Sequence, residues 1–404
     1  MKVKIEKGIA KGRIKAPPSK SMAHRMLICA AMCDGVSTVR GISSCEDVMA
    51  TIDCLRALGI KIEEDGEDVK VFGRGFSEVQ PTGTLGCRES GSTLRFFIPI
   101  ALLSGRTVMF EGAASLMNRP MSVYEELCRD RGLTFIADGN SITVKGPLMG
   151  GEFSVVGNIS SQFISGLLFA LPGASEDSTI KIAPPIESRS YIDLTIEALN
   201  LFGIKAEWKN EYTIFIPGGQ KPRACDVTVE GDYSGAAFLD ALNVFGSEVE
   251  LLGLRDGSTQ GDKVYKRYFN MLSSGVPSVH IGDCPDLGPI LFAVAAAKSG
   301  GIFDGTRRLK IKESDRAAAM AAELKKFGAS VTVYDDTVVV YPASFHAPSE
   351  ALSGHNDHRI VMSLAILLTL TGGEIDGAEA VSKSYPEFFE HLSLLGIRVT
   401  KNEI

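Results

Sequence analysis

The stretch SKSMAHRMLICAAMCDG, residues 19–35, decides how the rest of the chain is read. It opens on hydroxyl and cationic residues and then runs apolar on every side. Serine, aspartate and asparagine cap helix starts, because their side-chain oxygens accept bonds from the free first-turn N–H groups. A helix that is apolar all round is buried. The pattern recurs as ESGSTLRFFIPIALLSG (89–105), SSQFISGLLFALPGA (160–174), GDYSGAAFLDALNVFG (231–246), PDLGPILFAVAAAKSG (285–300) and NDHRIVMSLAILLTLTG (356–372). Six buried helices with polar, capped starts are therefore expected.

A second series interleaves with the first. LRALGIKIEEDG, CRDRGLTFIADG, LNLFGIKAEW, NMLSSGVPSVHIG, LKKFGASVTVYDD and LSLLGIRVTK each read as a helix end closed by glycine, then a strand. The closing glycines are Gly59, Gly132, Gly203, Gly275, Gly328 and Gly396. Glycine takes the left-handed conformation after a helix without steric cost. Their separation is about 70 residues, with one interval near 50, long enough for a supersecondary unit per copy. Short β-rich runs such as STVRGI, RTVMFEG, STIKIA, SEVELLG and GGEIDG follow the buried helices. Helices and strands in this order make an α+β protein. Grouped by three, the six copies make two lobes, with a hinge near Val227 to Glu230. The N-terminal strand pairs with the later lobe on this reading, so residues 1–15 join 230–404 and residues 16–229 form the other lobe.

Composition narrows the function. The chain has 404 residues, 45% of them hydrophobic and 23% charged, which excludes disordered and collagen-like classes. A net charge of −7 argues against nucleic acid as a partner. The longest apolar run, Ile360 to Leu370, falls short of a membrane span. The eight cysteines form no CxxC pair and sit at no metal spacing, so reduced thiols, a cytoplasmic setting and no bound metal are expected.

Helix N-termini attract anions through their dipole and free N–H groups. The residues at these starts therefore carry the chemistry, and a cleft between lobes is the expected place for them. Lys20, Ser21 and Arg25 stand at the first start. Gly91 and Arg95 stand at the second, with Arg119 in the loop beyond. Ser160, Ser161 and Gln162 stand at the third, followed by Ser188 and Tyr191. Asp286, at the fifth start, reads either as a helix cap or as a base. The loop from Lys310 to Arg316 is the densest ionic cluster. Asp315 can cap the next helix, leaving Lys312, Glu313 and Arg316 for the site, unless the run is merely solvated. His358 and Arg359 open the sixth helix, and Lys383 lies in the loop after it. Eight cations, counting Arg95, exceed what one phosphate needs. Two polyanionic ligands, or one with two anionic groups, would balance them, with the lobes closing on binding.

The motifs PPSKSMAHR, ESGSTLRF, NRPM, ISSQF, ESRSY, EGDYS, PDLGP, IKESDR, NDHR and SKSYP occur in this order over nearly the whole chain. In them the chain resembles the 5-enolpyruvylshikimate-3-phosphate (EPSP) synthases, or 3-phosphoshikimate 1-carboxyvinyltransferases. The resemblance implies two lobes, each of three βαβαββ units in pseudo-threefold arrangement, of the inside-out α/β barrel type. It implies transfer of the carboxyvinyl group of phosphoenolpyruvate to the 5-hydroxyl of shikimate 3-phosphate, a step of chorismate and aromatic amino acid biosynthesis. The route is addition and elimination through a tetrahedral intermediate, with C–O cleavage, no cofactor and a monomeric enzyme. Lys20, Ser21, Arg25, Ser160, Ser161, Gln162, Ser188, Tyr191, Asp286 and Lys312 would bind shikimate 3-phosphate. Lys20, Gly91, Arg119, Gln162, Arg316, Arg359 and Lys383 would bind phosphoenolpyruvate. Asp286 would take the hydroxyl proton. Glu313, with Lys20 or Lys383, would pass a proton to and from the methylene carbon, supported by His358.

Glu89, Phe96 and Arg308 depart from residues common in that family, near the donor pocket where glyphosate competes. Two other readings remain. A related transferase acting on UDP-N-acetylglucosamine has a cysteine where Ala114 stands. A non-catalytic anion-binding protein would not need both Asp286 and Glu313. An RNA-end cyclase with a similar repeat is disfavoured by the acidic charge and by missing motifs.

Overall fold

The computed structural model describes residues 1–76, 81 and 83–402. The chain divides into two compact units, Lys20–Glu230 and Met1–Ser19 with Gly231–Ile404.

The unit Lys20–Glu230 holds helices α1 (Lys20–Met32), α2 (Glu46–Ala57), α3 (Gly91–Leu103), α4 (Ala114–Met117), α5 (Ser122–Asp130), α6 (Ser161–Ala170) and α7 (Arg189–Leu201). Its three four-stranded sheets share one topology: a parallel pair, then two antiparallel neighbours. The first runs Val227–Thr228, Asp34–Arg40, Asp68–Arg74, Lys61–Asp65. The second runs Leu85–Gly86, Thr107–Glu111, Ser141–Lys145, Thr134–Ala137. The third runs Gly151–Val156, Ser178–Ala183, Thr213–Ile216, Glu207–Asn210. Strands such as Thr107–Glu111 alternate exposed and buried residues, so each sheet has one wet face and one core face. The core faces meet α1, α3 and α6, which are buried nearly throughout.

The other unit holds α8 (Tyr233–Val244), α9 (Tyr265–Ser274), α10 (Gly288–Ala297), α11 (Arg316–Lys326), α12 (His358–Thr371) and α13 (Phe388–Leu394). One sheet, Ser278–His280, Gly301–Asp304, Thr337–Tyr341, Ser330–Val333, repeats the same topology. A second runs Leu352–Ser353, Gly373–Asp376, Lys2–Ile5, Val399–Asn402. There the N-terminal strand supplies the position that a later strand fills elsewhere. The third sheet is only the parallel pair Lys11–Lys15 and Glu248–Leu252. None of these sheets closes into a barrel. Among the described residues no helix is long and apolar enough to cross a membrane.

The reduced sheet explains the short repeat interval. After Gly275 the chain enters Ser278–His280 directly, without the hairpin that follows Gly59, Gly132, Gly203 and Gly328. Gly59, Gly132, Gly203, Gly328 and Gly396 have φ of 84°, 66°, 72°, 91° and 92°, as expected for left-handed helix ends. Gly275 does not: at φ 173° it is extended. The expected caps form at Ser90, Ser160, Asp232, Asp315 and Asp357, each accepting a first-turn N–H.

Three buried elements of the first unit are pinned by polar contacts. His24 Nδ1 on α1 lies 2.6 Å from Thr51 Oγ1 on α2, which lies 2.9 Å from Thr93 Oγ1 on α3. Thr93 in turn donates to the Ser90 hydroxyl at 2.8 Å. Burial, then the charges of Lys20 and Arg25, hold the His24 ring well below the ordinary 6.5, so the folded protein keeps it neutral. The unfolded chain takes up that proton as pH falls through about 6.5. Stability from the neutral ring is thus present above that pH and lost below it. We expect wild type to be more stable than a His24→Gln variant at pH 7, with the gap shrinking by pH 5. Thermal unfolding at the two pH values checks this, and a constant gap contradicts it.

Candidate active site

The residues singled out from the sequence fall into two sets, one in each unit. In Lys20–Glu230 they gather at the starts of α1, α3, α6 and α7. Lys20 Nζ pairs with Asp47 Oδ2 of α2 at 2.6 Å. One turn on, the buried Arg25 guanidinium donates to Thr195 Oγ1 at 2.9 Å and to the carbonyls of Ser21 and Tyr191 at 2.6 and 3.1 Å. Its face lies 5.2 Å from the Phe96 ring centroid, so Phe96 forms the floor beneath this cation. Arg25 thus has only neutral partners among the described residues. Burial pulls its pKa down to about 10.

At the start of α3, the absence of a side chain at Gly91 lets two guanidiniums approach the backbone. A Cβ there would stand 2.8 Å from Arg119 Nη1, 3.0 Å from Arg95 Nη1 and 3.7 Å from Gln162 Oε1. Gln162 accepts from Arg95 at 2.7 Å and donates to Ser92 Oγ at 2.9 Å. The structure therefore brings Gly91, Arg95, Arg119 and Gln162 together. Ser160 caps α6 by accepting from the Gln162 N–H at 3.3 Å, and Ser161 is buried beside it. Ser188 precedes α7 in the left-handed region at φ 56°, a conformation a non-glycine residue adopts at a cost. Glu89 directly precedes the Ser90 cap.

In the other unit the set centres on Arg316, the first residue of α11, whose side chain is 1% exposed. Its guanidinium meets Asp286 Oδ1 at 2.8 Å, Glu313 Oε2 at 2.7 Å and Asp357 Oδ2 at 2.8 Å. Asp286 also faces Lys312 Nζ and Arg359 Nη2, each at 3.3 Å. Asp286 is therefore not the cap of α10. It sits in a 3-10 turn, Pro285–Leu287, and its carboxylate is held among three cations. The loop before α11 is likewise no solvated charge run. Burial opposes the charge on Arg316, but Asp357, Glu313 and Asp286 outweigh it and raise its pKa. Lys312 is lowered by burial, against the pull of Asp286 and with repulsion from Arg308 and Arg316. Arg308 is buried and donates to the Gly282 carbonyl at 3.3 Å. His358 and Arg359 are buried at the start of α12, and Lys383 Nζ donates to the Asn356 carbonyl at 2.7 Å.

Sequence reading missed Asp47, Thr195 and the ionic role of Asp357. Asp357 was visible as a cap position, but its link to Arg316 spans 41 residues. Asp47 stands in the acidic first turn of α2, a signal that ordinary capping also produces.

The fold is that of the enolpyruvyl transferases. An EPSP synthase from Acinetobacter baumannii superimposes with a TM-score of 0.80 at 23% identity, covering 100% of both chains. An enolpyruvyl transferase from Streptomyces tendae gives 0.80 at 14% identity, covering 99% of this chain and 98% of its own. The profile of the EPSP synthase (3-phosphoshikimate 1-carboxyvinyltransferase) family matches residues 6–392. The 3-phosphoshikimate 1-carboxyvinyltransferase of Clostridium perfringens is 38% identical over 419 residues, 98% of each chain. That of Clostridium acetobutylicum is also 38% identical, over 98% of this chain and 97% of its own. The chain belongs to the EPSP synthase family.

Removing Arg316 leaves three carboxylates facing one another without their shared cation. Breaking a buried ion network this way costs about 3–5 kcal/mol. Urea denaturation of Arg316→Leu at pH 7 should show a loss of that size. A loss under about 1 kcal/mol would mean the network contributes far less than a buried one should.

Proposed function

We propose that the chain transfers the carboxyvinyl group of phosphoenolpyruvate to the 5-hydroxyl of shikimate 3-phosphate, releasing phosphate. The observation that carries the reading is the convergence of Asp286 and Glu313 on the Arg316 guanidinium, with Lys312 and Arg359 alongside. Two carboxylates held in fixed positions beside cations can take up and return protons in defined directions. The residues of Lys20–Glu230 supply what such chemistry needs from its ligands. Arg25 is a buried cation with neutral partners, a state an anionic ligand stabilises. Ser21, Ser160, Ser161, Ser188, Tyr191 and, from the other unit, Lys312 complete the set that binds shikimate 3-phosphate. Lys20, Gly91, Arg119, Gln162, Arg316, Arg359 and Lys383 hold phosphoenolpyruvate. The missing side chain at Gly91 lets the Arg95 and Arg119 guanidiniums stand together at the start of α3, where two such groups suit an anionic ligand.

In the reaction, Glu313 delivers a proton to the methylene carbon, with Lys20 or Lys383 assisting and His358 supporting the relay. The 5-hydroxyl oxygen adds to the adjacent carbon as Asp286 takes its proton. The resulting tetrahedral intermediate then loses a methyl proton to Glu313, and phosphate leaves with the bridging oxygen. All of these residues come from one chain, so a monomer suffices. The substrates are small anions, and the net charge of −7 disfavours nucleic acid as a further partner. The cytoplasm, where both would be met, is the proposed location.

Phosphate release should require both substrates. Release with UDP-N-acetylglucosamine as the sole active acceptor would replace this assignment with the related transferase. Substituting Asp286→Asn or Glu313→Gln should lower kcat by about 10²–10⁴ while changing either KM only a few-fold. Steady-state kinetics decide this, and near wild-type kcat in either variant removes that residue from its role.

A further inference from the structure

The loop that delivers α12 contains two consecutive residues in the left-handed region, His355 at φ 48° and Asn356 at φ 52°. Neither is glycine, so the chain does not adopt this turn without restraint. Its geometry matters, because the carbonyl of Asn356 accepts from Lys383 Nζ at 2.7 Å and the next residue, Asp357, caps α12. A relaxed turn would swing that carbonyl away and shift the start of the helix.

The restraint comes from α11. Glu323, on its third turn, is 2% exposed. Its Oε2 accepts from the backbone N–H of Ser353 at 2.9 Å, and its Oε1 lies 3.0 Å from His355 Nε2. Lys326 Nζ stands 3.1 Å from the same carboxylate and donates to the Ala351 carbonyl at 3.3 Å. Inside the loop, His355 N–H donates to Ser353 Oγ at 3.2 Å, and Asp357 N–H to the Gly354 carbonyl at 2.9 Å. Arg316, seven residues before Glu323 on the same helix face, grips Asp357 at 2.8 Å. One helix thus holds both ends of the left-handed turn, at points roughly 10 Å apart along its axis.

We propose that Glu323 is a positioning residue, fixing the His355–Asn356 turn that presents a carbonyl to Lys383 and sets the start of α12. It touches none of the residues assigned to substrate, and it acts through the loop. The kinetic consequence rests on the function proposed above, in which Lys383 and Arg359 hold phosphoenolpyruvate.

Glu323→Gln keeps an acceptor for Ser353 but removes the charge facing His355 and Lys326. Its KM for phosphoenolpyruvate should rise roughly tenfold, the scale of a misplaced binding group. The KM for shikimate 3-phosphate should stay within about twofold of wild type and the thermal midpoint within about 5 °C. In a Glu323→Ala background, adding His355→Gly removes no contact with position 323 and lets one residue take its φ freely. That second change should recover part of the lost donor affinity. A turnover-independent readout is the rate at which an amine-reactive ester labels Lys383, mapped by mass spectrometry. It should rise severalfold in Glu323→Gln while the lysines other than Lys326, which loses its partner, label as before. Unchanged donor KM and unchanged Lys383 labelling overturn the proposal. So does a parallel rise of both KM values without recovery by His355→Gly, which marks a general structural role. If wild type fails to turn over the two substrates, the proposed function falls, and the labelling result alone decides the role of Glu323.

Discussion

The Arg316 guanidinium is the fixed point of the unit formed by Met1–Ser19 with Gly231–Ile404. A buried cation is tolerated only when its charge is matched and its N–H groups are bonded. Here Asp286, Glu313 and Asp357 do both. These carboxylates arrive from three places: the turn before α10, the loop before α11 and the cap of α12. Satisfying one side chain therefore fixes three helix starts. With Lys312 and Arg359 included, three positive groups face three negative ones. The set is balanced before any substrate arrives, which leaves Asp286 and Glu313 oriented without needing a ligand to order them.

The unit Lys20–Glu230 is built on the opposite principle. Its Lys20 has a carboxylate partner in Asp47, but Arg25 is buried with neutral acceptors and rests on Phe96. Ordered, partly desolvated cations without counter-charge bind anions strongly, because the desolvation cost is already met in the folded protein. The two units thus differ in charge balance: Arg25 is buried among neutral acceptors, whereas Arg316 is matched by carboxylates. His24, a buried residue of α1 held neutral, keeps a further positive charge out of the first unit's core.

Much of this was legible in the sequence because it is local. A cap and the N–H it satisfies lie two or three residues apart, so Ser90, Ser160, Asp232, Asp315 and Asp357 could be read from spacing. The glycine helix ends were legible for the same reason, with Gly275 the exception. What was not legible depends on pairing across the fold. Nothing near Asp286 indicates whether it caps a helix or meets Arg316, thirty residues on. Nothing near Lys20 names Asp47, and nothing near Lys383 points to a loop held by Glu323. The family motifs supplied residue types and order, while the partners that fix those residues had to come from the structure.

The central claim is that the carbon–oxygen bond of phosphoenolpyruvate breaks, so that a carboxyvinyl group moves and the phosphorus is never attacked. The fate of the bridging oxygen tests it most directly. Phosphoenolpyruvate carrying ¹⁸O between carbon and phosphorus is turned over with shikimate 3-phosphate, and the released phosphate is weighed by mass spectrometry. The account predicts that the phosphate carries the label. Unlabelled phosphate, with the heavy oxygen left in the organic product, would show phosphoryl chemistry and contradict it.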